Sequence, residues 1–284
     1  MKKINFLFIC FIGLIVAVFM SLNDTYAQES PEQIFRMGLG YLNEGSYEDA
    51  VNYFTQYLAS YPENVRALNY RGLAYESLKN YTEALNDFSS AIQLSSHFTP
   101  ALINRGNLYV LQQNYSDAIN DFSSAIMMDP SSINGYLDRG SVYLISKQPG
   151  PAVSDFDEAL TINTNSSEAY CKRGEAYLQL DRINDALADF AKAIELEPNN
   201  SMAYYYRGSY YYNQNDTMKA LEDFNYVIQL SPEFYEAYYK RGHILYELKS
   251  YQLAKNDFTE AIGLHPEYRD ELKNILDEIN KKLK

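Results

Sequence analysis

The chain has no tryptophan and only two cysteines, Cys10 and Cys171. Cys10 lies in an apolar N-terminal stretch, so Cys171 has no intramolecular partner and a disulfide-stapled fold is excluded. The three histidines, His97, His243 and His265, are far apart in sequence. That spacing argues against a metal site and against a Cys/His nucleophile, and it leaves no catalytic residue or cofactor to nominate. No basic run precedes Lys281, Lys282 and Lys284, and the net charge is −13. Such a surface repels nucleic acid and anionic lipid at range. No apolar run after Met20 is long enough to be a membrane span.

The first 27 residues follow the three-part pattern of a secretory signal. Lys2 and Lys3 give the positive start, residues 6–20 form the apolar run, and Thr25-Tyr26-Ala27 supplies a small-residue exit before Gln28. The alternative is an uncleaved anchor, since residues 4–20 are 17 long, at the short edge of what spans a bilayer. Both readings export the remainder, which is then periplasmic, envelope-associated or secreted. A membrane partner enters only if the signal is retained. Loss of Lys2, Lys3 and Asp24 takes the net charge from −13 to −14.

What the chain has in abundance is self-similarity. Residues 31–268 divide into seven units of 34 residues, starting at 31, 65, 99, 133, 167, 201 and 235. Position 8 is always glycine, from Gly38 to Gly242, and position 20 is always alanine, from Ala50 to Ala254. Glycine inside a helix costs about 1 kcal/mol relative to alanine, so its recurrence marks close helix approach. Position 24 is always phenylalanine, and position 11 is tyrosine in six units and Leu245 in the seventh. A polar turn near positions 14–18 separates two helices, and proline near position 32 closes five units, at Pro62, Pro130, Pro198, Pro232 and Pro266.

This pattern closely resembles the tetratricopeptide repeat family over 238 of the 284 residues. The resemblance implies an all-α fold, a right-handed superhelical solenoid of antiparallel helix pairs whose first helices line a concave groove. The expected organisation is a signal over 1–27, a solenoid over 28–268, and a capping helix over 269–284 with Leu272, Ile275, Leu276, Ile279 and Leu283 as its apolar stripe. In unit four, Lys147-Gln148-Pro149-Gly150-Pro151 replaces the usual turn, which predicts a delayed start of the second helix or a locally rigid turn.

One departure from the family motif is systematic. Position 7, usually leucine, is Arg71, Arg105, Arg139, Arg173, Arg207 and Arg241 in units two to seven. The same units carry Asp87, Asp121, Asp155, Asp189, Asp223 and Asp257 at position 23, whereas unit one has Met37 and Tyr53. Joint presence and joint absence imply a charge-assisted contact between helices, either within a unit or across adjacent units. These pairs are read as structural.

The family register turns positions 2, 5, 9, 12 and 13 toward the groove. That wall is apolar at first, with Phe35, Leu39, Leu42, Ile103, Val110 and Leu111, and becomes aromatic at Tyr205, Tyr212, Tyr239, His243 and Tyr246. Phenol rings suit peptide recognition, so these five are the candidate partner-binding residues. The family's clamp for a partner's terminal carboxylate is disfavoured, because the third unit has Ile103, Asn107 and Leu111, followed by Asn134 and Asp138. Asn80, Asn114, Asn165 and Asn215 begin glycosylation sequons, relevant only in a host that modifies them.

The expected function is a non-enzymatic scaffold that binds a peptide segment or helix of another protein in its groove. The alternative is a structural or accessory subunit of a larger envelope complex, held through the convex face or the stack ends. The leader pattern yields the first prediction. The intact mass of the exported product should correspond to a chain beginning at Gln28; retention of residues 1–27 would support the anchor instead.

Overall fold

The computed structural model describes residues 29–284, so the signal expected over 1–27 lies outside the described residues. Among them are fifteen α-helices and no strands. The first helices of the repeats are α1 (Pro31–Glu44), α3 (Val65–Ser77), α5 (Thr99–Leu111), α7 (Ile133–Ile145), α9 (Ser167–Gln179), α11 (Ser201–Asn213) and α13 (Tyr235–Glu247). The second helices are α2 (Tyr47–Ser60), α4 (Tyr81–Leu94), α6 (Tyr115–Met128), α8 (Pro149–Ile162), α10 (Ile183–Leu196), α12 (Thr217–Leu230) and α14 (Tyr251–Leu264), and α15 (Tyr268–Lys282) comes last. Contacts divide the chain into two compact units, one ending at Leu108 and the other beginning at Tyr109.

Each helix pair turns at one place. The residue at position 15 is left-handed in all seven repeats: Gly45 at φ 80°, then Lys79, Gln113, Lys147, Asp181, Asn215 and Lys249 at φ 58–61°. This conformation lets the amide of position 16 donate to the carbonyl of position 11, as Asn80 does to Tyr75 at 2.8 Å and Gln148 to Tyr143 at 2.7 Å. A non-glycine residue there costs on the order of 1 kcal/mol, which the caps and the packing on both sides offset. At the other helix ends, Ser30 and Gln33 form a reciprocal capping box, and Asn64, Ser166 and Asn200 accept from the amides of Ala67, Ala169 and Ala203.

Unit four corrects one expectation. Helix α8 begins at Pro149, the same repeat position at which the other second helices begin. Amides of a first helical turn have no intrahelical acceptor, so Pro149 and Pro151 remove no hydrogen bond and the start is not delayed.

The core rests on the glycine of the first helix and the phenylalanine of the second. A Cβ on Gly72 would lie 2.5 Å from Phe88 Cε1, on Gly140 2.6 Å from Phe156, and on Gly174 2.6 Å from Phe190. Glycine is therefore obligatory at this approach. The phenylalanines at position 24 and alanines at position 20 are 0–1% exposed throughout.

Arginine and aspartate flank that contact within one repeat. Nε and Nη2 of Arg71 donate to the two carboxylate oxygens of Asp87, both at 2.7 Å. The same bidentate fork joins Arg139 to Asp155, Arg173 to Asp189, Arg207 to Asp223 and Arg241 to Asp257, at 2.6–3.0 Å. Arg105 and Asp121 fall on the two sides of the division between the units. In repeat one, Tyr53 instead stacks on Tyr41 at 5.2 Å, which explains why both partners are missing there. The remaining nitrogen, Nη1, reaches back to position 25 of the preceding repeat: Arg71 to Thr55, Arg105 to Ser89, Arg139 to Ser123, Arg173 to Asp157 and Arg241 to Asn225. Arg207 has Ala191 at that place, which offers no side-chain acceptor.

Helix α15 lays Leu272 and Ile279, both at most 1% exposed, against the last repeat, with Ile275 and Leu276 partly buried beside them. Leu283 is exposed, so the expected stripe is one residue shorter. Tyr239 stacks on Tyr268 of α15 at 4.6 Å, and its hydroxyl donates to Glu271. His243 meets the Tyr239 and Phe258 rings edge-on at 4.6 and 5.0 Å, and its Nε2 is buried without a hydrogen-bond partner. Burial pulls the His243 pKa below its ordinary 6.5, against the opposing pull of Glu271 and Glu247 and with that of Lys240.

This packing makes two predictions. Arg173→Ala leaves Asp189 buried without its counter-ion and should cost about 3–5 kcal/mol in chemical denaturation, whereas Arg173→Met with Asp189→Leu should recover much of that loss. A double variant no more stable than the single one would exclude the pair as the cause. For His243, the unfolded chain takes up a proton at a higher pH than the folded one. Its contribution is therefore complete above about pH 6.5 and declines as pH falls through 6.5 toward the lower folded value. Thermal melts of wild type and His243→Gln between pH 8 and 5 should converge or cross as pH falls; parallel curves would show that His243 does not titrate differentially.

Candidate protein-interaction site

Of the five residues expected to line a groove, Tyr205 and Tyr212 stand on α11. Tyr205 packs 4.8 Å from the Phe234 ring and 6.3 Å from Phe224, and burial pushes its phenol up to about 12. The Tyr212 ring lies 5.5 Å from the Lys240 ammonium. The other three belong to the face of α13 that meets α15. Tyr239 and His243 pack against α15 and α14 as already described, while Tyr246 lies edge-on to Tyr251 at 5.8 Å and has its phenol pKa raised by Glu278 of α15. All five residues are half-buried. Helix α15 contributes to that burial at the last repeat, where Tyr268 and Glu271 contact Tyr239.

An accessible cleft of the second unit lies between α9 and α11. Glu168, Cys171, Lys172, Glu175, Asn200, Met202 and Tyr206 line a cleft of about 290 Å³. Residues at position 6, which the groove register left out, organise it. Lys172 donates to Ser141 Oγ of the preceding repeat at 3.0 Å and lies 3.7 Å from the Glu168 carboxylate. Tyr206 stacks on Phe190 at 5.9 Å; burial first, and then the nearby Glu175 carboxylate, hold its phenol well above the ordinary range. Position 6 of one repeat thus reaches position 9 of the repeat before it. Asp138, the position-6 residue of repeat four, is raised by burial, with Lys172 opposing the shift. A sequence signal for these residues existed, since position 6 enters the clamp comparison at Asp138.

Cys171 is 4% exposed, and burial pushes its thiol up to about 12, so at neutral pH it carries its proton and is a weak nucleophile. Met202, 39% exposed, offers an adaptable apolar contact. Two carboxylates and one ammonium at the cleft favour a basic side chain on whatever docks there. Among the described residues, no group of three His, Cys, Asp or Glu is placed to hold a metal ion, and no helix is long and apolar enough to cross a membrane.

The same architecture recurs in known proteins. Models of the tetratricopeptide repeat match residues 35–97, 99–132, 167–200, 190–222 and 208–269. A search of curated proteins gives no match. Among solved structures, a tetratricopeptide repeat protein from Parabacteroides merdae is 21% identical with a TM-score of 0.72, over 88% of this chain and 98% of that one. The Cut9 and Hcn1 hetero-tetramer of the APC/C is similar at 15% identity and a TM-score of 0.66, over 93% of this chain and 52% of that chain. YrrB, described as a TPR protein with an unusual peptide-binding site, is 25% identical with a TM-score of 0.51, over 65% of this chain and 95% of its own. The glycine–phenylalanine contact of repeats one, two, four, five and seven, the shared turn and these matches together place the chain in the tetratricopeptide repeat family.

Proposed function

We propose that this chain is an exported, non-enzymatic scaffold that binds an extended segment of a partner protein across the first helices of its second unit, with the cleft between α9 and α11 as the anchor. The observation that carries this reading is the cleft itself, where an apolar patch of Met202 and Tyr206 adjoins the carboxylates of Glu168 and Glu175. An anchor of this kind takes one long side chain of a partner by burying its stem and pairing its charge. The partner segment accordingly carries a lysine or arginine. YrrB's peptide-binding site gives the reading a precedent in a protein of similar fold. The protonated, buried thiol of Cys171 supports binding over catalysis. The leader pattern of residues 1–27 supports a location outside the cytoplasm.

A photo-crosslinking residue placed at Met202 tests this. In cells that make the protein, it should trap a discrete partner, and Glu168→Lys should reduce the trapping by roughly tenfold, the equivalent of about 1.4 kcal/mol. The same crosslinker at Met218, an exposed site on α12 of the same repeat, should trap nothing comparable. Trapping from Met218 alone would move the attachment to the second helices and sink this reading.

A further inference from the structure

Position 11 holds a tyrosine in six repeats, and its surroundings recur. Tyr41 stacks on Tyr53 at position 23; the guanidinium at position 7 lies 5.9 Å from Tyr75 and 5.6 Å from Tyr177; and Lys219 at position 19 lies 4.9 Å from Tyr211. The ring therefore rests beside positions 7, 19 and 23 of its own repeat. In repeat seven, position 11 is Leu245. A cavity of about 410 Å³ lies there, walled by Leu245, by Arg241, Leu253 and Asp257 at those same three positions, and by Leu221 and Asn225 of α12. Leu253 is 56% exposed, so the cavity has a mouth to solvent.

We propose that this cavity is a docking site for a tyrosine or phenylalanine side chain of a partner protein, which supplies from outside the ring that the other six repeats supply themselves. Three leucines give the apolar walls that an aromatic ring needs. The donors of Arg241 are engaged: Nε and Nη2 by Asp257 at 2.8 and 2.7 Å, and Nη1 by Asn225 at 2.7 Å. The Tyr238 ring already lies 5.8 Å from the Arg241 guanidinium, and what Arg241 has left to offer is the second side of its plane, which suits a π-system as Arg173 shows between Tyr170 and Tyr177, while the Asp257 carboxylate in the wall disfavours an anion. The cavity shares no residue with the cleft on α9 and α11, so the two sites stand or fall separately.

The test uses the full chain with ¹³C-methyl leucine and N-acetyl-tyrosine methylamide as the probe. Saturable shifts confined to the methyls of Leu221, Leu245 and Leu253 are expected, and Leu245→Tyr, which restores the internal ring, should weaken binding by roughly tenfold or more. The cyclohexyl analogue of the probe should also bind more weakly. If Leu245→Tyr does not fold, Leu253→Phe at the exposed wall fills the mouth and should give the same loss. No saturable shift up to the solubility of the probe, or undiminished binding in a folded Leu245→Tyr chain, overturns the proposal. So does binding of free 4-methylphenol without binding of the amide, since that describes a pocket for a small molecule and not for a side chain within a chain. Trapping from Met202 should be unaffected by Leu245→Tyr.

Discussion

The approach of a glycine backbone to a phenylalanine ring is the constraint on which the rest of this structure depends. A Cβ on the first helix would meet the ring at 2.5–2.8 Å in Gly38, Gly72, Gly140, Gly174 and Gly242, so the two helices of a repeat are held at a separation that no larger residue permits. That separation sets the geometry of the neighbouring arginine and aspartate, which meet as a two-pronged fork rather than as a loose ion pair. With the helix pair fixed, the single guanidinium nitrogen that remains can link one repeat to the one before it. Packing thus comes first and polar connectivity second, because a buried carboxylate at 2–6% exposure is tolerable only where its partner is positioned without slack.

Much of this fold was legible in the sequence because repetition is its own control. Glycine, alanine and phenylalanine at fixed positions announced the helix contact, and Met37 with Tyr53 in the first repeat exposed the arginine–aspartate pairing by their joint departure. What stayed hidden lies where the chemistry is constant but the letters vary. The left-handed turn is glycine once and otherwise lysine, glutamine, aspartate or asparagine, so no letter marks it. The acceptor at position 25 is threonine, serine, aspartate or asparagine, and only the recurring offset of 16 residues reveals it.

The candidate site was less legible, for a different physical reason. Exposure of the last repeat depends on the helix packed on its far side, where Tyr268 and Glu271 of α15 contact Tyr239 and leave it half-buried. The repeat register assigns a side chain to a face, but it cannot say whether that face is wet. Position 6 escaped notice because its residues, Asp138, Lys172 and Tyr206, share neither charge nor size; what Lys172 and Tyr206 have in common is the position-9 residue they face in the preceding repeat.

Helix α15 has one more consequence. Units joined through near-identical faces form a polymer, and a polymer needs an end group if its length is to be finite. Helix α15 resembles a further unit on one side, where Leu272 and Ile279 are buried, but turns Asp270, Lys273, Asp277 and Lys281 outward in place of a second stacking surface. A helix pair stacked on that face would have to bury these charges, which costs several kcal/mol per unpaired ion. A single helix thereby covers the apolar face that the seventh repeat would otherwise leave to solvent.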